Sequence, residues 1–207
     1  MSNSTSPKIA LVTGASRGLG RNTALHLARG GWDLIVTYRA AEAEARSLVA
    51  EVEGLGRKIV ALPLDTGEVS TFDAFAGKVS DTLKAWGRDR FDHLLNNAGA
   101  GYNASFADTT EAEFDRLSNV HLKGVFFLTQ KLLPLIADGG RIVNVSSGLT
   151  RVTFSDYVAY AVMKGAVETL TRYLAKELGP RGITVNVIAP GATVFTAMPR
   201  APSSLAR

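Results

Sequence analysis

Residues 8–20 read KIALVTGASRGLG, an aliphatic run that ends in a glycine-rich turn. The run 8–13 is short, continuous and apolar, as a strand buried on both faces requires. TGASRGLG (13–20) follows it directly and leads into a predicted helix over 18–30. Gly14, Gly18 and Gly20 let the backbone turn tightly and approach a ligand with no Cβ between. The free N–H groups and positive dipole end of the helix suit a pyrophosphate. The spacing is T-G-x-x-x-G-x-G rather than G-x-G-x-x-G, so a purely structural turn is the competing reading.

Outward from this stretch, short apolar runs alternate with longer amphipathic ones. Strands are expected at 8–13, 33–38, 57–62, 91–96, 141–146 and 183–188. Helices are expected at 18–30, 40–53, 68–86, 111–137 and 155–178. Strand–helix alternation of this kind predicts an α/β fold, a Rossmann-like doubly wound parallel sheet of six strands with helices on both faces. Residues 1–191 form a single dinucleotide-binding and catalytic domain on this reading. Residues 192–207 have neither period and are expected to be an irregular, shortened tail.

The composition excludes several classes. With no cysteine among 207 residues there is no disulfide framework, thiolate metal site or cysteine nucleophile. His26, His93 and His121 lack ligand spacing, so no metal is expected. The net charge of +4 is scattered, with no basic run of the kind that binds nucleic acid. No apolar run reaches membrane-span length, and MSNSTSPK lacks the apolar core of a signal peptide. No membrane partner and a cytoplasmic location are therefore expected.

Where dinucleotide folds often carry an acidic residue for the ribose diol, the second strand ends Tyr38-Arg39. Asp33 stands at the strand's other end. Arg39, with Arg17 inside the glycine turn, suits a 2′-phosphate, which favours NADP(H) over NAD(H). Further on, YVAYAVMKGA places Tyr160 and Lys164 one helical turn apart. A cation about 4 Å from a phenol contributes around 4 kcal/mol at an effective dielectric of 20, enough to lower its pKa by about three units. Burial acts in the opposite direction. Tyr157, by contrast, has Ala161 at i+4. Ser147 ends a strand, at the sheet edge where ligands of open parallel sheets sit, and could steady a developing alkoxide. Ser146 falls on the other face and reads as structural. Asn119 is a poor helix-interior residue, and Gly124 adds to an expected kink.

Together these residues resemble the short-chain dehydrogenase/reductase family from about residue 8 to Gly191, with the nearest likeness to NADPH-dependent reductases of the 3-oxoacyl-carrier-protein reductase type. The resemblance implies a cofactor loop at Gly14, Ser16, Arg17, Gly18, Leu19 and Gly20, flanked by Tyr38 and Arg39. It implies adenine contact at Asp65 and Thr66. NNAG (96–99) brings Asn97, Ala98 and Gly99 to the cofactor, and Pro190-Gly191 supplies the turn near the nicotinamide. Asn119, Ser147, Tyr160 and Lys164 match the catalytic tetrad, in which the asparagine holds a water linking the lysine to solvent. The implied activity is hydride transfer between NADP(H) and a ketone or secondary alcohol, with Tyr160 as proton donor or acceptor. The apolar helices near 111–137 and 155–178 imply a homodimer. The family continues for several dozen residues beyond the proline–glycine turn. The alternative is therefore a catalytically weak nucleotide- or partner-binding remnant. A sugar-nucleotide epimerase is disfavoured by the glycine spacing, and a serine hydrolase by the missing nucleophile-elbow pattern.

Overall fold

A computed structural model of the chain describes residues 6–191; the expected tail over 192–207 lies outside them. Within strand β1 (Ile9–Val12) the side chains alternate between two cores. Ile9 and Leu11 join Ile35, Phe72, Phe75 and Leu128 on one face, and Ala10 and Val12 join Leu34, Val36, Leu48 and Val52 on the other. Period-two alternation with both sets buried is what a two-faced parallel sheet demands.

The remaining strands are β2 (Asp33–Tyr38), β3 (Ile59–Pro63), β4 (Phe91–Asn96), β5 (Ile136–Val145) and β6 (Thr184–Ile188). All pair in parallel, in the order β3-β2-β1-β4-β5-β6. Helices α1 (Gly18–Arg29) and α2 (Glu42–Gly54) cover one face. Helices α3 (Phe72–Ala85), α5 (Gly124–Leu132) and α6 (Val158–Leu178) cover the other. Chain order reverses between β1 and β4, which opens a crevice at the carboxyl ends of those two strands. The expected doubly wound sheet of six strands is the one observed.

Several boundaries differ from the sequence expectation, and three of the differences lie near the crevice or in the elements that frame it. The single helix over 111–137 is instead α4 (Glu111–Ser118), a π-helical turn (Asn119–Lys123), α5, and a 3-10 turn (Leu133–Leu135). Thr110 starts α4 by accepting the Glu113 N–H at 3.3 Å. Gly124 is needed less for a kink than for space, because a Cβ there would collide with the Thr66 carbonyl. Pro134 cannot continue a helix, and β5 begins at Ile136, five residues earlier than expected, paired with Phe91. Helix α6 begins at Val158 rather than 155, after Asp156 takes φ 70°.

A buried polar chain locks the sheet to its helices beneath the crevice. Asn96 donates to Asn144 at 2.8 Å and to Thr129 at 3.0 Å, and Asn144 donates to Thr171 at 2.9 Å. Asn144 is 0% exposed. Asn144→Leu is expected to destabilise the fold by about 1–3 kcal/mol, because partners of the lost amide stay buried. A lowered urea midpoint with unchanged slope is the measurement that checks this.

Candidate active site

The glycine turn is tied to the NNAG segment by one hydroxyl. Thr13 Oγ1 accepts the N–H groups of Asn97 and Ala98, both at 2.9 Å. Asn97 Nδ2 donates back to the carbonyls of Thr13 (2.9 Å) and Gly14 (3.2 Å). The approach is so close that a Cβ on Gly20 would stand 2.5 Å from both the Asn97 amide nitrogen and the Gly14 carbonyl oxygen. Gly14 itself has φ 65°, which a side chain disfavours. Asn97 therefore braces the turn as well as facing the crevice.

A cleft of about 460 Å³ opens over this turn. Its floor is Gly14, Ser16, Ala98 and Gly99, and Tyr38, Asp65 and Thr66 stand at its far side. Arg17 and Arg39 border it, both exposed. Arg39 lies 4.0 Å from the Asp65 carboxylate, a loose pairing that leaves the guanidinium available. Asp33, by contrast, is buried at the opposite end of β2, held by the Lys58 N–H and Arg57. A floor of glycines and small residues and a cationic end fit a dinucleotide carrying an extra phosphate. Gly18 and Gly20 lie in and under the turn rather than in the cleft wall.

A second cleft of about 280 Å³ shares Asn97, Gly99 and Ala100 with the first. Here the structure brings together Leu19, Ser147, Tyr160, Lys164, Pro190 and Gly191. The Gly148 N–H donates to the Pro190 carbonyl at 2.8 Å, which holds the proline–glycine turn against the serine. Ser146 and Ser147 both line this cleft, just past the end of β5, and make different hydrogen bonds. Ser146 donates its one hydrogen to Glu168 at 2.8 Å, with the Lys164 carbonyl oxygen 3.3 Å from the same hydroxyl. Ser147 accepts from the Leu149 N–H and hydrogen-bonds Tyr160.

The electrostatics correct one expectation. Lys164 does sit beside Tyr160, its Nζ 5.6 Å from the ring centre, but it donates to the Val145 carbonyl at 2.8 Å. Burial raises the Tyr160 pKa above the ordinary phenol value, and the Ser147 hydrogen bond offsets only part of this. Burial likewise lowers Lys164 to about 8. In the free protein the phenol is thus held protonated rather than acidified, because desolvation outweighs the Ser147 hydrogen bond.

One of the expected site residues stands apart from both clefts. Asn119 lines neither cleft; its Cβ faces Gly67, on the turn after β3. His121 takes the place beside Tyr160, its ring edge-on at 5.1 Å between centroids. Sequence reading passed over His121 because it looked only for metal spacing. The signal was the helical period, since Leu117, His121, Val125 and Leu128 form one buried stripe that excludes Asn119.

The family description "short chain dehydrogenase" matches residues 8–204, nearly the whole chain and past Gly191. The chain belongs to the short-chain dehydrogenase family. Within it, the chain is 36% identical over 189 residues to the short-chain dehydrogenase/reductase GME11373 of Pestalotiopsis microspora, covering 90% of this chain and 69% of that one. Among solved structures it is similar to the promiscuous reductase LugOII, described as catalysing keto-reduction at C1 during lugdunomycin biosynthesis. That likeness has 42% identity and a TM-score of 0.86, over 89% of this chain and 73% of the other. It is also similar to the landomycin C-6 ketoreductase LanV, solved with bound NADP and rabelomycin, at 38% identity and a TM-score of 0.85 over 88% and 75% of the chains. Family membership makes the chain a short-chain dehydrogenase by sequence and by fold, and an oxidoreductase by class.

Proposed function

We propose that the chain is an NADP(H)-dependent ketone reductase in which Tyr160 gives the proton. The observation that carries this reading is the convergence of Ser147, Tyr160 and Lys164 in one cleft that opens onto the dinucleotide cleft. NADPH, when bound, supplies the hydride. The chain's own residues supply the rest. Ser147 orients the reacting oxygen and shares it with the Tyr160 hydroxyl. Tyr160, kept protonated by burial, delivers its proton to the alkoxide, a far stronger base than a phenolate. Lys164 then stabilises the phenolate left behind. A raised phenol pKa suits reduction at neutral pH better than oxidation, which needs the phenolate as base.

The substrate side of the cleft carries Tyr102 and Tyr157. Aromatic walls favour a flat, apolar ketone, and the LugOII and LanV likenesses support keto-reduction as the reaction. A 3-oxoacyl thioester is the other substrate class to test beside fused-ring ketones. Location in the cytoplasm is part of this proposal; among the described residues no helix is long and apolar enough to cross a membrane. So is a homodimer through α4–α5 and α6, supported by Phe114, Phe126, Val162 and Tyr173 exposed on those helices. The remnant alternative is weaker, because binding alone gives no reason for a buried lysine beside a phenol.

Cofactor choice rests on Arg17 and Arg39. Arg39→Asp is expected to lower kcat/KM for NADPH by about 10- to 100-fold, the worth of one charge-assisted contact. The value for NADH should hold or rise. Initial rates with both cofactors on one ketone check this, and an unchanged NADPH preference would contradict the assignment.

A further inference from the structure

His121 is 1% exposed, yet its Nδ1 has no hydrogen-bond partner among the described residues. Its other nitrogen is committed. Nε2 lies 2.7 Å from the Ala100 carbonyl oxygen, which can only accept, so Nε2 carries the hydrogen. The Ala100 N–H also approaches Nε2, at 3.3 Å, but one ring nitrogen cannot donate and accept in the same plane, and the shorter contact decides. Nδ1 is then a bare lone pair, buried, on a ring that lines the second cleft. The same imidazole packs edge-on against Tyr160. Gly99 makes room for it, since a Cβ there would stand 2.9 Å from His121 Cε1.

The charged groups around the ring are Lys164 on α6 and Arg116 on α4, with Tyr160 as the neighbouring titratable group. Burial, together with both cations, lowers His121 to about 4, so the imidazole is neutral at pH 7. Lys164 uses one of its three hydrogens on Val145 and has others to give. A buried acceptor without a donor costs stability, and the site holds an ammonium with donors to spare.

From this we infer that His121 Nδ1 is the acceptor that orients the Lys164 ammonium through one solvent molecule, and so serves proton resupply to Tyr160 in the place expected for Asn119. His121 is a positioning residue on this account. The proton that leaves Tyr160 for the alkoxide is replaced by one drawn from solvent by way of Lys164, and His121 neither gains nor loses one. The inference rests on the function proposed above and extends it.

The test compares His121→Leu, His121→Asn and Asn119→Ala with the parent, all saturated with NADPH, over pH 6–10. His121→Leu is expected to lower kcat by about 10- to 100-fold, the effect of misplacing a catalytic group, with the NADPH Kd unchanged. Its alkaline limb should move to lower pH, because the Lys164 cation has lost an acceptor. His121→Asn, which keeps an acceptor, should restore most of both changes. A His121→Leu enzyme with the parent's kcat and alkaline limb overturns the inference, as does a larger loss in Asn119→Ala than in His121→Leu. If His121→Leu does not fold, 15N spectra of the cofactor-free parent decide: Nε2 protonated and Nδ1 bare at pH 7 support it, and the reverse tautomer overturns it. A parent inert on every ketone, with the expected tautomer, faults the proposed function instead.

Discussion

Lys164→Met should lose about 100-fold or more in kcat/KM for ketone reduction while the protein stays folded. The ammonium is 5% exposed and 5.6 Å from the Tyr160 ring centre. A unit charge at that range stabilises a phenolate by about 3 kcal/mol at an effective dielectric of 20, which is about a hundredfold in rate. The pH profile adds a second signature. Lys164 holds its proton below about pH 8 and loses it above. The parent's reduction rate should therefore fall as pH rises through about 8, and Lys164→Met should lack that limb. Stability moves with the opposite sign. Between about 8 and the ordinary lysine value of 10.5, the unfolded chain keeps a proton that the folded chain has released, so this group makes the fold more stable as pH rises. Lys164→Met removes that dependence as well. Rates and urea midpoints across pH 6–10 check both.

Tyr160→Phe should lose about 100- to 10,000-fold in kcat, the usual contribution of a positioned acid, and bind NADPH as the parent does. Phenylalanine keeps the ring that packs against His121 and deletes only the oxygen that hydrogen-bonds Ser147. The dinucleotide cleft, with its floor at Gly14 and its arginines at 17 and 39, does not include Tyr160. Binding and turnover should therefore separate. Nucleotide fluorescence titration reads the first and ketone-dependent loss of NADPH absorbance the second.

The parts of this structure legible in the sequence are those set by local period. Ile9 and Leu11 against Ala10 and Val12 announce a strand buried on two faces, and the glycine turn after it marks the crevice. Ser146 and Ser147 both line the second cleft and differ in their hydrogen-bond partners. Features that depend on tertiary approach were not legible. The π-helical turn at Asn119–Lys123 accompanies a close approach of Gly124 to Thr66, far away in sequence. The early start of β5 at Ile136 is decided by its pairing with Phe91. The direction of the Tyr160 shift depends on how much water the fold removes, which an i, i+4 pattern cannot report. Asn119 and His121 show both limits. Matching a motif pointed to the asparagine, whereas counting along the buried stripe points to the histidine that lines the cleft.

Steady-state rates can be set by product release rather than chemistry, so a single turnover is the sharper test of Tyr160 as the proton donor. Tyr160→Phe, loaded with NADPH and mixed with excess ketone at pH 7 in a stopped-flow instrument, should show its 340 nm decay slowed by at least about 100-fold relative to the parent. A decay as fast as the parent's, at equal NADPH occupancy, would contradict the account.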